Sequence, residues 1–268
     1  MPEGDAVWRT ARRLGEALDG ATLARTDFRV PQHATADLVG GTVVETVSRG
    51  KHLLTRIDTS GAGEDRRWTL HTHLKMEGSW RVYRPGERWG RPGHLARVVL
   101  GTSRRTAVGF QLGIVELLPR HREDDVVGHL GPDLLGSDWD EQEAVRRLTA
   151  NPDRPLGEAL LDQRNLAGIG TIYRTELCFL TGYDPRSPVA TVVDPVRMVR
   201  LARSLLEQGR HHPQIVTTGD KARGRSLWIY GRGRERCRRC GTPIERGELG
   251  PPGVERVAYW CPTCQPPR

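Results

Sequence analysis

Lysine is almost missing from this chain. Of 41 Lys and Arg residues only Lys51, Lys75 and Lys221 are lysines. Arginine serves for generic positive charge, so a lysine kept against that bias is a candidate for giving up a proton, which arginine does not readily do. Long apolar runs are missing too. None approaches the roughly 18 residues that a membrane-spanning helix needs. The opening stretch MPEGDAVWRTARRL has no apolar core of the kind a secretory leader carries. A soluble, cytoplasmic protein without a membrane partner is the expectation. Apolar residues make up only 37%, still adequate for a core in a 268-residue chain with room for two domains. Acid is in deficit. The net charge is +8 and the pI about 9.7, which points to a polyanionic partner. Between Lys221 and Arg239 stand eight basic residues and one acid, Glu235; such a cluster is either a phosphate-binding stripe or a solvated tail. No internal repeat is visible.

The texture of the chain changes along its length. Val7, Ala11, Leu14 and Leu18 recur at helical spacing, predicting a helix over residues 2–18 that Gly20 stops. From about residue 22 to 118, short β-branched runs such as TVVETVSRG and KHLLTRID alternate with turn residues, which reads as an antiparallel sandwich or barrel. The predicted division is an N-terminal domain over residues 1–118, a polar linker over 119–140, a helical domain over 141–230 and a metal module over 231–268. Helices are predicted at 141–150, 155–161, 172–180 and 195–208. The Gly- and Arg-rich stretch 217–233 is expected to be a mobile loop.

Cys237 and Cys240 form one Cys-x-x-Cys pair, and Cys261 and Cys264 another, with twenty residues between the pairs. Two such knuckles joined by a hairpin supply the four thiolates of one structural Zn2+, whose closed shell leaves no position for a reactive water. Two disulfides would need an oxidising compartment, and no secretory leader supports one. Cys178, in an apolar run, is expected in the core. In the hairpin GVERVAYW before Cys261, alternation places Arg256 on the face opposite Val257.

Pro-Glu-Gly directly after Met1 can be read as a good helix start, with Pro at the first turn and Glu suited to the helix dipole. It is accompanied, in order, by Arg49-Gly50-Lys51, His73-Leu74-Lys75-Met76-Glu77-Gly78, LLDQRNLAGIGTIYRTEL from Leu160, and the four-cysteine module. This ordered set, spanning essentially the whole chain, resembles the formamidopyrimidine-DNA glycosylase / endonuclease VIII family of bifunctional DNA glycosylases. The resemblance implies an α+β multidomain fold: an N-terminal helix with a two-layer β-sandwich, a helical domain with a helix-two-turns-helix motif, and a C-terminal zinc finger. It also implies a monomer acting on damaged DNA, duplex or single-stranded, as a bacterial, nucleoid-associated repair enzyme.

By the same resemblance, Pro2, freed by removal of Met1, is the nucleophile. Its secondary amine attacks the sugar C1′ and the departing base leaves an iminium, which then drives elimination of the phosphates. Glu3 is the acid that protonates the sugar ring oxygen. Lys51 contacts a phosphate beside the lesion and assists proton transfer. Arg256 grips the phosphates around the lesion. Met76 fills the space of the flipped-out base, and His73 touches a phosphate. Gly168, Gly170 and Thr171 open a helix whose backbone N–H groups face phosphates.

Two departures from the family pattern matter. Thr171 stands where the family usually has Asn. Residues 109–113, Gly-Phe-Gln-Leu-Gly, carry no arginine where the 8-oxoguanine branch places Arg and Phe against the orphaned base. Oxidised pyrimidines are therefore the favoured substrates, with β,δ-elimination as the outcome. An 8-oxoguanine/formamidopyrimidine glycosylase and an inactive DNA-binding relative are the alternatives.

Overall fold

The computed structural model describes residues 2–59 and 66–268. The chain divides between His129 and Leu130 into two compact units, inside the stretch expected as a linker. Among the described residues no helix is long and apolar enough to cross a membrane.

The first unit opens with helix α1 (Gly4–Leu18). Its stripe of Val7, Ala11, Leu14 and Leu18 is buried, each of the larger side chains contributing about 2 kcal/mol. Asp5 in the first turn is held by Arg9 one turn on, at 2.9 Å. Eight strands follow: β1 (Arg25–Phe28), β2 (Thr42–Arg49), β3 (His52–Asp58), β4 (Arg67–His73), β5 (Ser79–Tyr83), β6 (Ala96–Gly101), β7 (Thr106–Phe110) and β8 (Ile114–Pro119). They form two antiparallel four-stranded sheets, β2-β3-β4-β8 and β1-β6-β7-β5. Val7, Leu14 and Leu18 of α1 share one core with Leu53, Ile57 and Leu70 of the first sheet and Val98, Leu100 and Ala107 of the second. The short helix α2 (Glu123–Val127) returns to the first sheet: Glu123 accepts from Arg56 at 2.9 and 2.7 Å, and also from Thr69.

The second unit holds helices α3 (Glu141–Thr149), α4 (Leu156–Leu161), α5 (Thr171–Thr181) and α6 (Pro195–Gly209), then strands β9 (Glu245–Leu249) and β10 (Arg256–Trp260), paired antiparallel. The caps are those the sequence offers. Asp140 and Asp194 accept from the third residue on, at 3.0 and 2.8 Å, and Gly182 closes α5 at φ 76°. Leu134, Leu156, Leu160, Ile169, Leu177, Met198, Val199 and Leu206 form its core, with Cys178 among them. Burial pushes the Cys178 thiol up to about 12, so it is an inert core residue, as expected.

Candidate active site and metal centre

Pro2 immediately precedes the residue that caps α1. That residue, Glu3, is extended (φ −105°, ψ −178°) and its side chain makes no cap bond. Its carbonyl instead accepts from the N–H groups of Ala6 and Val7 at 3.0 and 3.1 Å, and its carboxyl-bearing side chain is buried at 1% exposure. A buried carboxyl at a helix start that makes no cap bond is a candidate for chemistry.

Lys51 lies in the turn between β2 and β3, two strands on which α1 packs. Arg49 pairs with His52, so the turn is only Gly50-Lys51. Gly50 has φ 58° and Lys51 does not, the pattern of a type II′ hairpin that demands glycine first. Lys51 is 8% exposed, so it is not a solvated surface lysine.

Beside this hairpin sits a histidine cluster that the sequence did not reveal. His71 of β4 bonds Glu116 of β8 through Nδ1 at 2.8 Å, and its Nε2 lies 2.8 Å from Nδ1 of His52 on β3. The carboxylate accepts from His71 Nδ1–H, and His71 Nε2 and His52 Nδ1 share one hydrogen between them. His73 Nδ1 accepts the backbone N–H of Lys75 at 2.9 Å, which places the proton on Nε2. Burial, then the neighbouring His71, His73, His129 and Lys75, hold His52 down to about 3. Burial, then Lys75, Lys51 and His71, hold His73 down to about 4. Both imidazoles are neutral at neutral pH. His73 thus offers an N–H donor. On the next loop, Met76 is 63% exposed, an unfavourable place for a methionine that serves packing alone.

In the second unit, the segment between α4 and α5 is stitched by Gln163. Its amide N–H groups donate to Leu161 O and Ile169 O at 2.8 and 2.9 Å, and its oxygen accepts from Gly168 N–H at 3.1 Å. Gly168 has φ 108°, Gly170 caps α5, and Thr171 is its first residue. Two charged residues of α5 are fully buried. Arg174 Nη2 donates to Val257 O at 2.6 Å, beside Arg256 in β10. Glu176 accepts the backbone N–H groups of Trp228, Ile229 and Tyr230 at 2.8, 3.0 and 2.9 Å, and the Thr217 hydroxyl. The stretch expected as a mobile loop is therefore fastened at both ends. A buried carboxylate can satisfy several backbone donors at once, and no local sequence pattern announces that partnership.

The basic run also proves partly structural. Arg239 lies over the rings of Phe179 and Trp228, at 4.4 and 5.8 Å, while Arg232 and Arg238 donate to main-chain carbonyls of 224–228. Arg256, at the start of β10, is exposed and donates to Val254 O and Glu255 O at 3.1 and 3.0 Å. Ala258 and Trp260, at alternate positions of the same strand, are buried.

The four cysteine sulfurs lie within 4.8 Å of one another. Sulfurs around a tetrahedral metal at about 2.3 Å stand about 3.8 Å apart; Cys237 and Cys264 are 3.9 Å apart and Cys240 and Cys261 3.4 Å. The Arg239 N–H points at Cys237 Sγ from 3.4 Å, an orientation that suits a thiolate. The donor set fits a metal ion.

The class of protein that this fold and these sites define is matched by two family models: the formamidopyrimidine-DNA glycosylase N-terminal domain over residues 1–111 and the formamidopyrimidine-DNA glycosylase H2TH domain over residues 130–208. The chain belongs to the formamidopyrimidine-DNA glycosylase family. It is 52% identical to "Probable endonuclease 8 2" of Streptomyces coelicolor, covering 99% of this chain and 94% of that one. It is 50% identical to "DNA-(apurinic or apyrimidinic site) lyase Nei2" of Mycolicibacterium smegmatis, covering 99% of each. Its fold matches the crystal structure of Lactococcus lactis formamidopyrimidine-DNA glycosylase bound to DNA with an abasic site, at a TM-score of 0.79, 22% identity and coverage of 98% and 99%.

Proposed function

We propose that this protein is a bifunctional DNA glycosylase and AP lyase of base excision repair, removing oxidised bases, pyrimidines in preference, through an imine on Pro2. The observation that carries the reading is that two ionisable side chains are buried, Glu3 at 1% and Lys51 at 8% exposure, one at the cap of α1 and the other in the hairpin against which α1 packs. Buried ionisable groups cost free energy unless they are paired, and they gather at functional sites.

The steps follow from the residues. With Met1 removed, the Pro2 nitrogen forms a bond to C1′ of the damaged nucleotide and the C1′–base bond breaks, the base leaving with a proton. Glu3 gives a proton to the ring oxygen, opening the sugar. The iminium nitrogen, which cannot shed its charge by losing a proton, draws electrons from C2′ as that carbon's proton leaves, and the 3′ phosphate departs. A second elimination expels the 5′ phosphate. Lys51 and Arg256 hold the flanking phosphates, and Lys51 moves protons in the eliminations. His73, with its Nε2–H, donates to a phosphate. Met76 occupies the place of the flipped-out base. Gly168, Gly170 and Thr171 present the start of α5 to the backbone. Cys237, Cys240, Cys261 and Cys264 hold one Zn2+, which when bound fixes the finger and leaves the chemistry to the side chains.

The test is borohydride trapping on oligonucleotides carrying an abasic site, thymine glycol, dihydrouracil or 8-oxoguanine. A covalent adduct on Pro2, strongest with the oxidised pyrimidines, is expected. Retention of full nicking by Pro2→Gly would overturn the nucleophile. Binding without any adduct would leave a DNA-binding relative that lacks the chemistry.

A further inference from the structure

Leu53, Ile57, Leu70 and Val115 of the first sheet belong to the core shared with α1. By the alternation of a strand, His52, His71, His73 and Glu116 lie on the opposite face. Register sets His52 of β3 against His73 of β4, and His71 of β4 against Glu116 of β8. The result is a polar row across three strands. It starts at the Gly50-Lys51 turn: His52 follows Lys51 directly, and the charge of Lys51 bears on His73. The His52 ring stands edge-on to His73 and nearly parallel to His71, each at 5.0 Å between centroids. His52 Nδ1 lies 2.8 Å from His71 Nε2, and His71 Nδ1 lies 2.8 Å from Glu116. The ends of the row differ. Lys51 is 8% exposed, whereas the Glu116 side chain is 48% exposed. A face needed only for packing would take apolar residues, as Leu54 does opposite the buried His71. A neutral imidazole has one donor and one acceptor nitrogen, so it can take a proton at one and release a proton from the other.

We propose that His52, His71 and Glu116 form a relay that carries to solvent the proton that Lys51 takes in the first elimination. The three act through Lys51, not on the substrate. The inference rests on the proposed function, in which each elimination strips a proton from carbon, C2′ first and C4′ second. Lys51 cannot take the second while it holds the first. In the relay a Lys51 N–H bond breaks as an N–H bond forms on the His52 ring, and the lone pair returns to Lys51. The hydrogen shared by His52 and His71 shifts to His71, and the His71 Nδ1 proton passes to Glu116, which gives it to water. After the DNA leaves, the added His52 proton is lost to water and Glu116 hands one back to His71. The test is a single-turnover reaction on a labelled oligonucleotide with a preformed abasic site, comparing 3′-phosphate ends, the product of both eliminations, with the unsaturated-aldehyde ends left by the first alone. Glu116→Gln still accepts from His71 but cannot take its proton. Glu116→Gln and His52→Ala should each lower the ratio of second to first elimination about tenfold, less than removal of a general base costs, because water still serves the site. Lost folding would lower both products alike and leave the ratio unchanged. Free imidazole should raise the ratio of His52→Ala relative to wild type in the same buffer. An unchanged ratio in both variants, a His52→Ala ratio that imidazole does not raise, or a wild type that stops at the first elimination overturns the relay. Borohydride trapping on the same substrate separates the two readings: no adduct on Pro2 refutes the proposed function, and an adduct with an unchanged ratio refutes the relay alone.

Discussion

At the scale of single residues, burial separates the functional reading from the bland one. Lys51, in a two-residue turn, would be solvated if it served only for charge, yet it is buried. Lys51→Arg keeps the charge and gives up the easily moved proton. It is expected to hold abasic-site DNA within a few-fold of wild type while slowing elimination about 100-fold in single-turnover assays, the range of general acid–base catalysis. A parallel loss of affinity and rate would reduce Lys51 to a phosphate anchor. The imidazoles give a pH signature. In the unfolded chain both titrate near 6.5, whereas in the fold His73 is held down to about 4 and His52 to about 3. Between those limits the unfolded chain binds more protons, so stability rises with pH there. It is fully present above about pH 7 and is lost as the pH falls from about 6.5 towards 3. Tm measured against pH should show this slope, and a double His52→Gln, His73→Gln variant should flatten it; an unchanged slope would place the acid sensitivity elsewhere.

At the scale of elements, α5 begins at the turn containing Gly168 and Gly170 and also secures residues 217–230 well beyond its own C-terminus. Glu176→Ala strips one buried carboxylate from three backbone donors and should cost about 3 kcal/mol or more, since each unsatisfied buried donor costs about 1–3 kcal/mol. Denaturant unfolding followed by tryptophan fluorescence, with Trp228 at the anchor, would measure it; a cost under about 1 kcal/mol would mean that water replaces the carboxylate. The four-cysteine cluster gives a second test. Cys237→Ala, or chelation, should release one zinc and unfold β9 and β10, whereas a metal-free chain with an intact finger would refute the structural zinc. Helix periodicity placed the long helices to within one or two residues, because an amphipathic stripe and its caps are local. The Cys-x-x-Cys knuckles were legible for the same reason. The Glu116–His71–His52 chain and the Glu176 anchor were not, since each joins residues far apart in sequence whose partners exist only once the sheets or helices have packed. The basic run 221–239 was legible only as charge: composition could not show that Arg232, Arg238 and Arg239 also hold the chain's own backbone and rings.

At the scale of the whole molecule, each unit has its own core. Unfolding should therefore show two transitions in calorimetry, and only the one belonging to residues 130–268 should move when zinc is removed; a single transition that shifts as one would deny the units their independence. The charge of +8 should make DNA affinity fall steeply with salt, and a flat dependence would deny electrostatics a part in binding.

Glu176 grips main-chain N–H groups, not side chains, at 228–230. Its hold is therefore blind to which amino acids stand there, with one exception. Proline has no N–H to offer. As far as this anchor is concerned, relatives are free to drift at these positions in every way but one, and a proline scan would find the prohibition where no side-chain contact map would place it.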